Sequence, residues 1–118
     1  LNVILRQLKN KYKYIQLLNT DAVRDYIFIE DLAELIKKII QKPISGTFNV
    51  GSGAGVSVNE IITLMFKFYN KKKPIKLINK EKSNSKQILD IKKISETYKW
   101  KPKYNIKKKL KNIIENCE

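Results

Sequence analysis

The feature that most constrains this chain is the short apolar run Thr47 to Val50, which lies between two amphipathic helical stripes and runs directly into Gly51-Ser52-Gly53-Ala54-Gly55. Before it, Leu32, Leu35, Ile36, Ile39 and Ile40 fall at helical spacing, with acids in the first turn and lysines in the last, both favourable to the helix dipole. After it, Ser57 and Glu60 stand at capping-box spacing, and Val58, Ile61, Ile62, Met65 and Phe66 supply the next stripe. A strand set between two such helices is covered on both faces and needs other strands at its sides. The remaining candidates are few, so the fold does not look closed.

Leu1, Ile4, Leu5 and Leu8 form one stripe of an opening helix, broken by lysines at 9 to 13. Tyr14 to Leu18 and Asp25 to Ile29 read as short strands separated by the turn-favouring Asn19-Thr20-Asp21. Pro43 ends the central helix, Pro74 to Ile78 is a candidate edge strand, and residues 79 to 88 read as a polar loop. Two short helices close the chain, the first carrying Ile91, Ile94 and Tyr98, the second Ile106, Leu110, Ile113 and Ile114. The order argues an α/β or α+β layer structure over residues 1–118 without a convincing domain boundary, internal repeat or long linker, and α/β is the reading adopted.

At 118 residues the chain has room for one core. No apolar run approaches the roughly 20 residues of a membrane helix, and the opening charges follow the apolar stretch rather than precede it, unlike a signal peptide. A soluble, cytoplasmic protein is expected. The single cysteine, Cys117, provides no disulfide framework, and the absence of histidine removes the commonest general base and metal ligand together. The net charge of +14 invites a nucleic-acid-binding reading. Of 25 basic residues, however, only Arg6 and Arg24 are arginines, and the lysines are spread along the whole chain. The runs 71–73 and 107–109 are not interleaved with aromatics, so solvated lysine faces are the favoured reading and a basic nucleic-acid-binding module the rival.

Three segments together resemble the extended short-chain dehydrogenase family of NAD-dependent sugar-nucleotide epimerases and dehydratases, of the UDP-glucose 4-epimerase type. They are Arg24-Asp25-Tyr26-Ile27-Phe28-Ile29-Glu30-Asp31-Leu32-Ala33, then Gly46 to Gly53 followed by Ser57-Val58-Asn59-Glu60-Ile61, and lastly Asp90-Ile91-Lys92-Lys93 with Trp100-Lys101-Pro102. The resemblance implies the carboxyl-terminal part of such an enzyme, namely the last strand of the Rossmann sheet plus a small α/β substrate-binding domain. It places the glycine-rich NAD loop and the catalytic Tyr-x-x-x-Lys pair in an amino-terminal Rossmann half on the same or a separate chain. Hydride exchange with NAD would occur there, and this chain would not catalyse alone. A homodimer is compatible with the resemblance, as is a truncated, non-catalytic interaction protein.

The same resemblance assigns roles. Arg24 would hold the diphosphate of a nucleoside-diphosphate sugar, since its guanidinium fork suits two phosphate oxygens; local pairing with Asp21 or Asp25 is the alternative. Asn2 would hydrogen-bond the substrate, Val3 would line the nucleotide pocket, and Val58 would touch the base or else begin a core stripe. Lys80 stands where many relatives have an arginine for the diphosphate, but Lys80-Glu81-Lys82-Ser83 departs from the usual Arg-x-Gly-Asp. Tyr69/Lys73 and Tyr104/Lys108 have Tyr-x-x-x-Lys spacing without a glycine-rich loop before them and are read as accidental. Gly51, Gly53 and Gly55 lack dinucleotide-loop spacing. Asp25, Asp31, Asn49 and Asp90 are expected to tie turns and cap helices, and Tyr26, Phe28 and Trp100 to be core.

Overall fold

The computed structural model describes residues 2–70, 72–78 and 85–116. Lys80, Cys117 and most of the expected polar loop lie outside them. In chain order the elements are α1 (Asn2–Lys9), β1 (Ile15–Leu17), β2 (Val23–Asp25), α2 (Ile29–Gln41), β3 (Gly55–Ser57), α3 (Val58–Tyr69), β4 (Ile75–Leu77), β5 (Lys86–Gln87), α4 (Lys92–Tyr98) and α5 (Ile106–Asn116).

Two small sheets result. β1 pairs in parallel with β4, Ile15 opposite Ile75 and Leu17 opposite Leu77. β2 is the middle strand of the other, antiparallel to β3 with Arg24 opposite Val56, and parallel to β5 with Arg24 opposite Gln87. The strand expected over 25–29 thus forms earlier, because Val23, Arg24 and Asp25 find ladder partners while Tyr26 and Phe28 turn onto the core beyond.

One cluster of buried side chains joins Ile4, Leu5 and Leu8 of α1, Ile15 of β1, Ile61, Ile62 and Met65 of α3, and Ile106, Leu110 and Ile114 of α5. These are the stripes read from the sequence, now facing one another. A second cluster is smaller and contains Leu35 of α2, Ile94 and Tyr98 of α4, and Trp100, with Ile39, Phe48, Val50 and Ile91 half-buried beside them. The capping box forms as its spacing required: Ser57 Oγ accepts from Glu60 N at 3.1 Å and Glu60 Oε2 accepts from Ser57 N at 2.9 Å. Lys73 Nζ donates to the carbonyls of Gln7 and Asn10 at 2.7 and 2.5 Å, placing a cation at the negative end of α1.

The run Thr47 to Val50 does not become a strand and belongs to neither sheet. Its ladder partners are not among the described residues, so half of what makes a strand is unmet. The body is also thin. Its extents are 52 × 33 × 16 Å and its radius of gyration is 16.9 Å, against about 13.5 Å for a compact chain of this length.

Candidate functional site

Asp25 organises the glycine-rich loop. Its Oδ1 accepts from Ser52 N at 2.7 Å and from the Ser52 hydroxyl, and its Oδ2 accepts from Gly53 N at 3.0 Å and Leu89 N at 3.2 Å. Burial raises the Asp25 pKa, but the Ser52, Leu89 and Gly53 donors outweigh it and hold the carboxyl below its ordinary value. The packing demands glycine nearby, because a Cβ on Gly51 would stand 2.7 Å from Asp25 Oδ2. A Cβ on Gly55 would stand 2.5 Å from both Ile88 Cδ1 and Val23 Cγ1. The loop amides of Ser52 and Gly53 are therefore spent on a carboxylate of the chain itself, which makes the loop a structural turn rather than a phosphate cradle.

Arg24 sits one residue earlier on β2 and points to the other edge. Its Nη1 donates to the carbonyls of Val23 and Ser85 at 2.8 and 2.9 Å, and its Nη2 donates to the Ser85 hydroxyl at 2.9 Å. Neither Asp21 nor Asp25 is its partner. Among the described residues these bonds use three of five guanidinium hydrogens. The two left over, on Nε and Nη2, form the side of the fork that can meet two phosphate oxygens in parallel. By holding Ser85, Arg24 also fixes the start of β5, a two-residue polar strand that no sequence pattern announced.

The other expected site residues are dispersed. Asn2 and Val3 are exposed on the first turn of α1, Val3 to 54%. Val58 is half-buried against the larger core, its N–H donating to Ala22 O at 3.2 Å, so it opens the α3 stripe as a packing residue. Lys80 is outside the described residues. Asp31 is buried to 1% and accepts from the backbone N–H groups of Lys103 and Tyr104 at 2.9 and 3.1 Å, tying the start of α2 to the turn before α5. Asp90 accepts from Lys92 N at 2.9 Å in the turn before α4, whose N-cap is Ile91 and makes no side-chain cap bond.

A cavity of about 510 Å³ beside α1 and β1 was missed in the sequence; it is lined by Arg6, Gln7, Lys11, Tyr12, Lys13, Tyr14 and Gln16. The signal was present as Lys11-Tyr12-Lys13-Tyr14, which alternates cations with rings. Residues 2–18 contain no Asp or Glu. Lys76 Nζ lies 5.2 Å from the Tyr14 ring centre. Among the described residues no cluster of three metal-ligating side chains occurs, and no helix is long and apolar enough to cross a membrane.

The arrangement of β2, α2, the glycine loop and α3 is the geometry that the three resembling segments demand, and a family model described as GDP-mannose 4,6 dehydratase matches residues 1–113. The chain belongs to that family. More broadly, it matches the carboxyl-terminal part of the NAD-dependent epimerases/dehydratases of the extended short-chain dehydrogenase type. UDP-glucose 4-epimerase 4 of Oryza sativa subsp. japonica is 36% identical over 92 residues, covering 72% of this chain and 25% of that protein. GDP-6-deoxy-D-talose 4-dehydrogenase of Aggregatibacter actinomycetemcomitans is 41% identical over 56 residues, 47% of this chain and 19% of that protein. The chain thus spans about a quarter or less of these relatives. UDP-glucose 4-epimerase of Thermotoga maritima, solved with UDP-glucose, aligns with TM-score 0.77 and 26% identity over 97% of this chain and 37% of that one. RMD of Pseudomonas aeruginosa, solved with NADPH, aligns with TM-score 0.82 over 98% of this chain and 39% of that one; at 17% identity it speaks for the fold alone. Asp25 and Asp31 tie the scaffold together through backbone N–H groups.

Proposed function

We propose that this chain is the nucleoside-diphosphate-sugar-binding part of an NAD-dependent epimerase/dehydratase, with Arg24 as its diphosphate anchor. The observation carrying the reading is the Arg24 guanidinium itself. It is braced on one side by Val23 O and Ser85, while among the described residues the Nε and Nη2 side has no partner and suits a bidentate anion. Bracing lowers the entropy lost when a long side chain engages a ligand. The relatives named for UDP-glucose and for a GDP-deoxysugar support a sugar carried on a nucleoside diphosphate as the substrate class.

The described residues do not fit NAD. The glycine-rich loop spends its Ser52 and Gly53 amides on Asp25, and neither Tyr69 nor Tyr104 stands beside a nucleotide loop. In this reading the redox step is that of a glycine-loop half, on the same or a separate chain, with which this chain works.

Titration calorimetry with UDP-glucose and GDP-mannose, on the chain joined to a relative's glycine-loop half, tests the reading. Arg24→Ala should weaken binding at least about 30-fold, the worth of a charge-assisted bond pair. Unchanged affinity removes Arg24 from the site. A second reading draws on the carboxylate-free Lys11 to Tyr14 cavity, where a single-stranded polyanion could pair with lysines and stack on tyrosines. A nanomolar RNA or DNA complex that weakens steeply with salt would favour it.

A further inference from the structure

The fold sorts the lysines that the sequence spreads. In and before α5 they stand against carboxylates: Lys103, Lys107, Lys109 and Lys111 pair with Glu34, Glu60, Glu30 and Glu115. Around α1, β1 and β4 there are no carboxylates to meet. Residues 2–18 and 72–78 hold seven basic residues and no Asp or Glu, half of the net charge of +14.

Three contacts bring these two segments together. Ile15 N donates to Pro74 O at 2.9 Å, Lys73 Nζ bridges the carbonyls of Gln7 and Asn10, and Lys76 Nζ lies 5.2 Å over the Tyr14 ring. Gln7 and Gln16 add two bonds between α1 and β1, at 3.2 and 2.6 Å. The wall of the 510 Å³ cavity is thereby ordered before anything binds, which lessens the entropy lost on binding. Tyr12 and Tyr14 line it with 55% and 37% of their surface exposed, next to Lys11 and Lys13. An open ring beside an uncompensated cation suits a base on the ring and a phosphate on the cation. A lipid surface would draw on the cations but not on a concavity with rings in its wall. The cavity lies at the last turn of α1, the end away from Asn2 and Val3, and Arg24 lines no part of it.

We infer that a single strand of nucleic acid crosses this face, with bases stacked in the cavity on Tyr12 and Tyr14 and phosphates on Lys11, Lys13 and, across the β1–β4 ladder, Lys76. This rests on the second reading above and deepens it by bringing β4 into the path. It does not depend on Arg24, and a sugar nucleotide can be held there at the same time.

The test is fluorescence anisotropy of a labelled oligouridylate of about twelve nucleotides with the full chain. With Arg6, Lys11, Lys13 and Lys76 engaged, log affinity should fall against log salt with a slope of about −3. Tyr12→Ala with Tyr14→Ala should weaken binding at least about tenfold, while the paired Tyr→Phe changes keep it within about twofold. Lys11→Gln with Lys13→Gln should flatten the slope by about 1.4, and Lys76→Gln by about 0.7 more. Lys37→Gln with Lys108→Gln removes the same charge from exposed positions elsewhere and should leave the slope unaltered. Circular-dichroism melts establish that each variant folds. A control pair that acts as strongly as Lys11 and Lys13 overturns the inference, because net charge would then suffice. So does uridine monophosphate bound as tightly as the oligomer, or a chain that binds phosphatidylserine vesicles and not the oligomer. Binding that needs Lys11 to Tyr14 but ignores Lys76→Gln sinks the β4 path and leaves the second reading standing; no oligomer binding at all sinks both. Arg24→Ala should leave oligomer affinity unchanged, so the sugar-nucleotide reading is judged separately.

Discussion

Replacing Asp31 with alanine should be among the most damaging single changes to this chain. The carboxylate is 1% exposed, stands in the first turn of α2 and accepts from Lys103 N and Tyr104 N at 2.9 and 3.1 Å. Its removal leaves two N–H groups without acceptors and unties α2 from the turn that delivers Ile106 to the core. Each charge-assisted bond contributes about 1.5–3 kcal/mol, and relief of the carboxylate's desolvation offsets part of the sum, which leaves a net loss of about 2–4 kcal/mol. At roughly 4 °C per kcal/mol for a domain of this size, the thermal midpoint should fall by about 8–16 °C. Asp31→Asn keeps the shape but turns an NH2 toward one of the two donors, so it should fall between alanine and the natural residue. Glu34 is the control: its pair with Lys103 at 2.7 Å is open to solvent, and Glu34→Ala should leave the thermal midpoint nearly unchanged. Circular-dichroism melts of the three variants decide the matter. An Asp31→Ala midpoint no lower than that of Glu34→Ala would refute the argument.

Two further outcomes follow from the glycine turn and the capping box. Gly55→Ala forces a methyl to within 2.5 Å of Ile88 and Val23, so it should lose about 1–3 kcal/mol in urea titration, whereas a harmless alanine would mean that β3 does not lie so close to Val23 and Ile88. Glu60 is held down to about 2 by the Lys107 ammonium, followed by Ser57 N–H, against burial. A carboxyl depressed by folding adds stability above its unfolded pKa, near 4.5, and that contribution fades as pH falls from there toward 2. Melts between pH 5 and pH 2 should therefore steepen with Glu60 and flatten in Glu60→Gln; parallel curves for the two proteins would refute it.

The helices were legible because each pairs a stripe with a terminal signal. Ser57 and Glu60 fix the start of α3, and Leu35, Ile39 and their acids fix α2. That reading nevertheless assigned Ile36 and Ile40 to the same buried face as Leu35, when the stripe is wider than the core beneath it. The strands were harder. Tyr26 to Ile29 has the composition of a strand, but the ladder forms at Val23 to Asp25, where β3 and β5 are in register. Lys86–Gln87 is too short and polar to show a period, and its place depends on Arg24 reaching across to Ser85. Thr47 to Val50 was read as an apolar strand and joins neither sheet, because a ladder depends on a neighbour that composition does not reveal. Asp25 was expected to be structural and is. That it organises Ser52, Gly53 and Leu89 through one carboxylate follows only from their convergence in space.

The 16 Å depth of the body carries a chemical consequence. A plate scarcely thicker than one helix with its side chains leaves every group within a few ångströms of bulk solvent. Passing a hydride between a sugar and a carrier calls for a dry enclosure in which reactive intermediates are shielded from hydrolysis and stray protons. A wall this shallow shields a bound group from one side only.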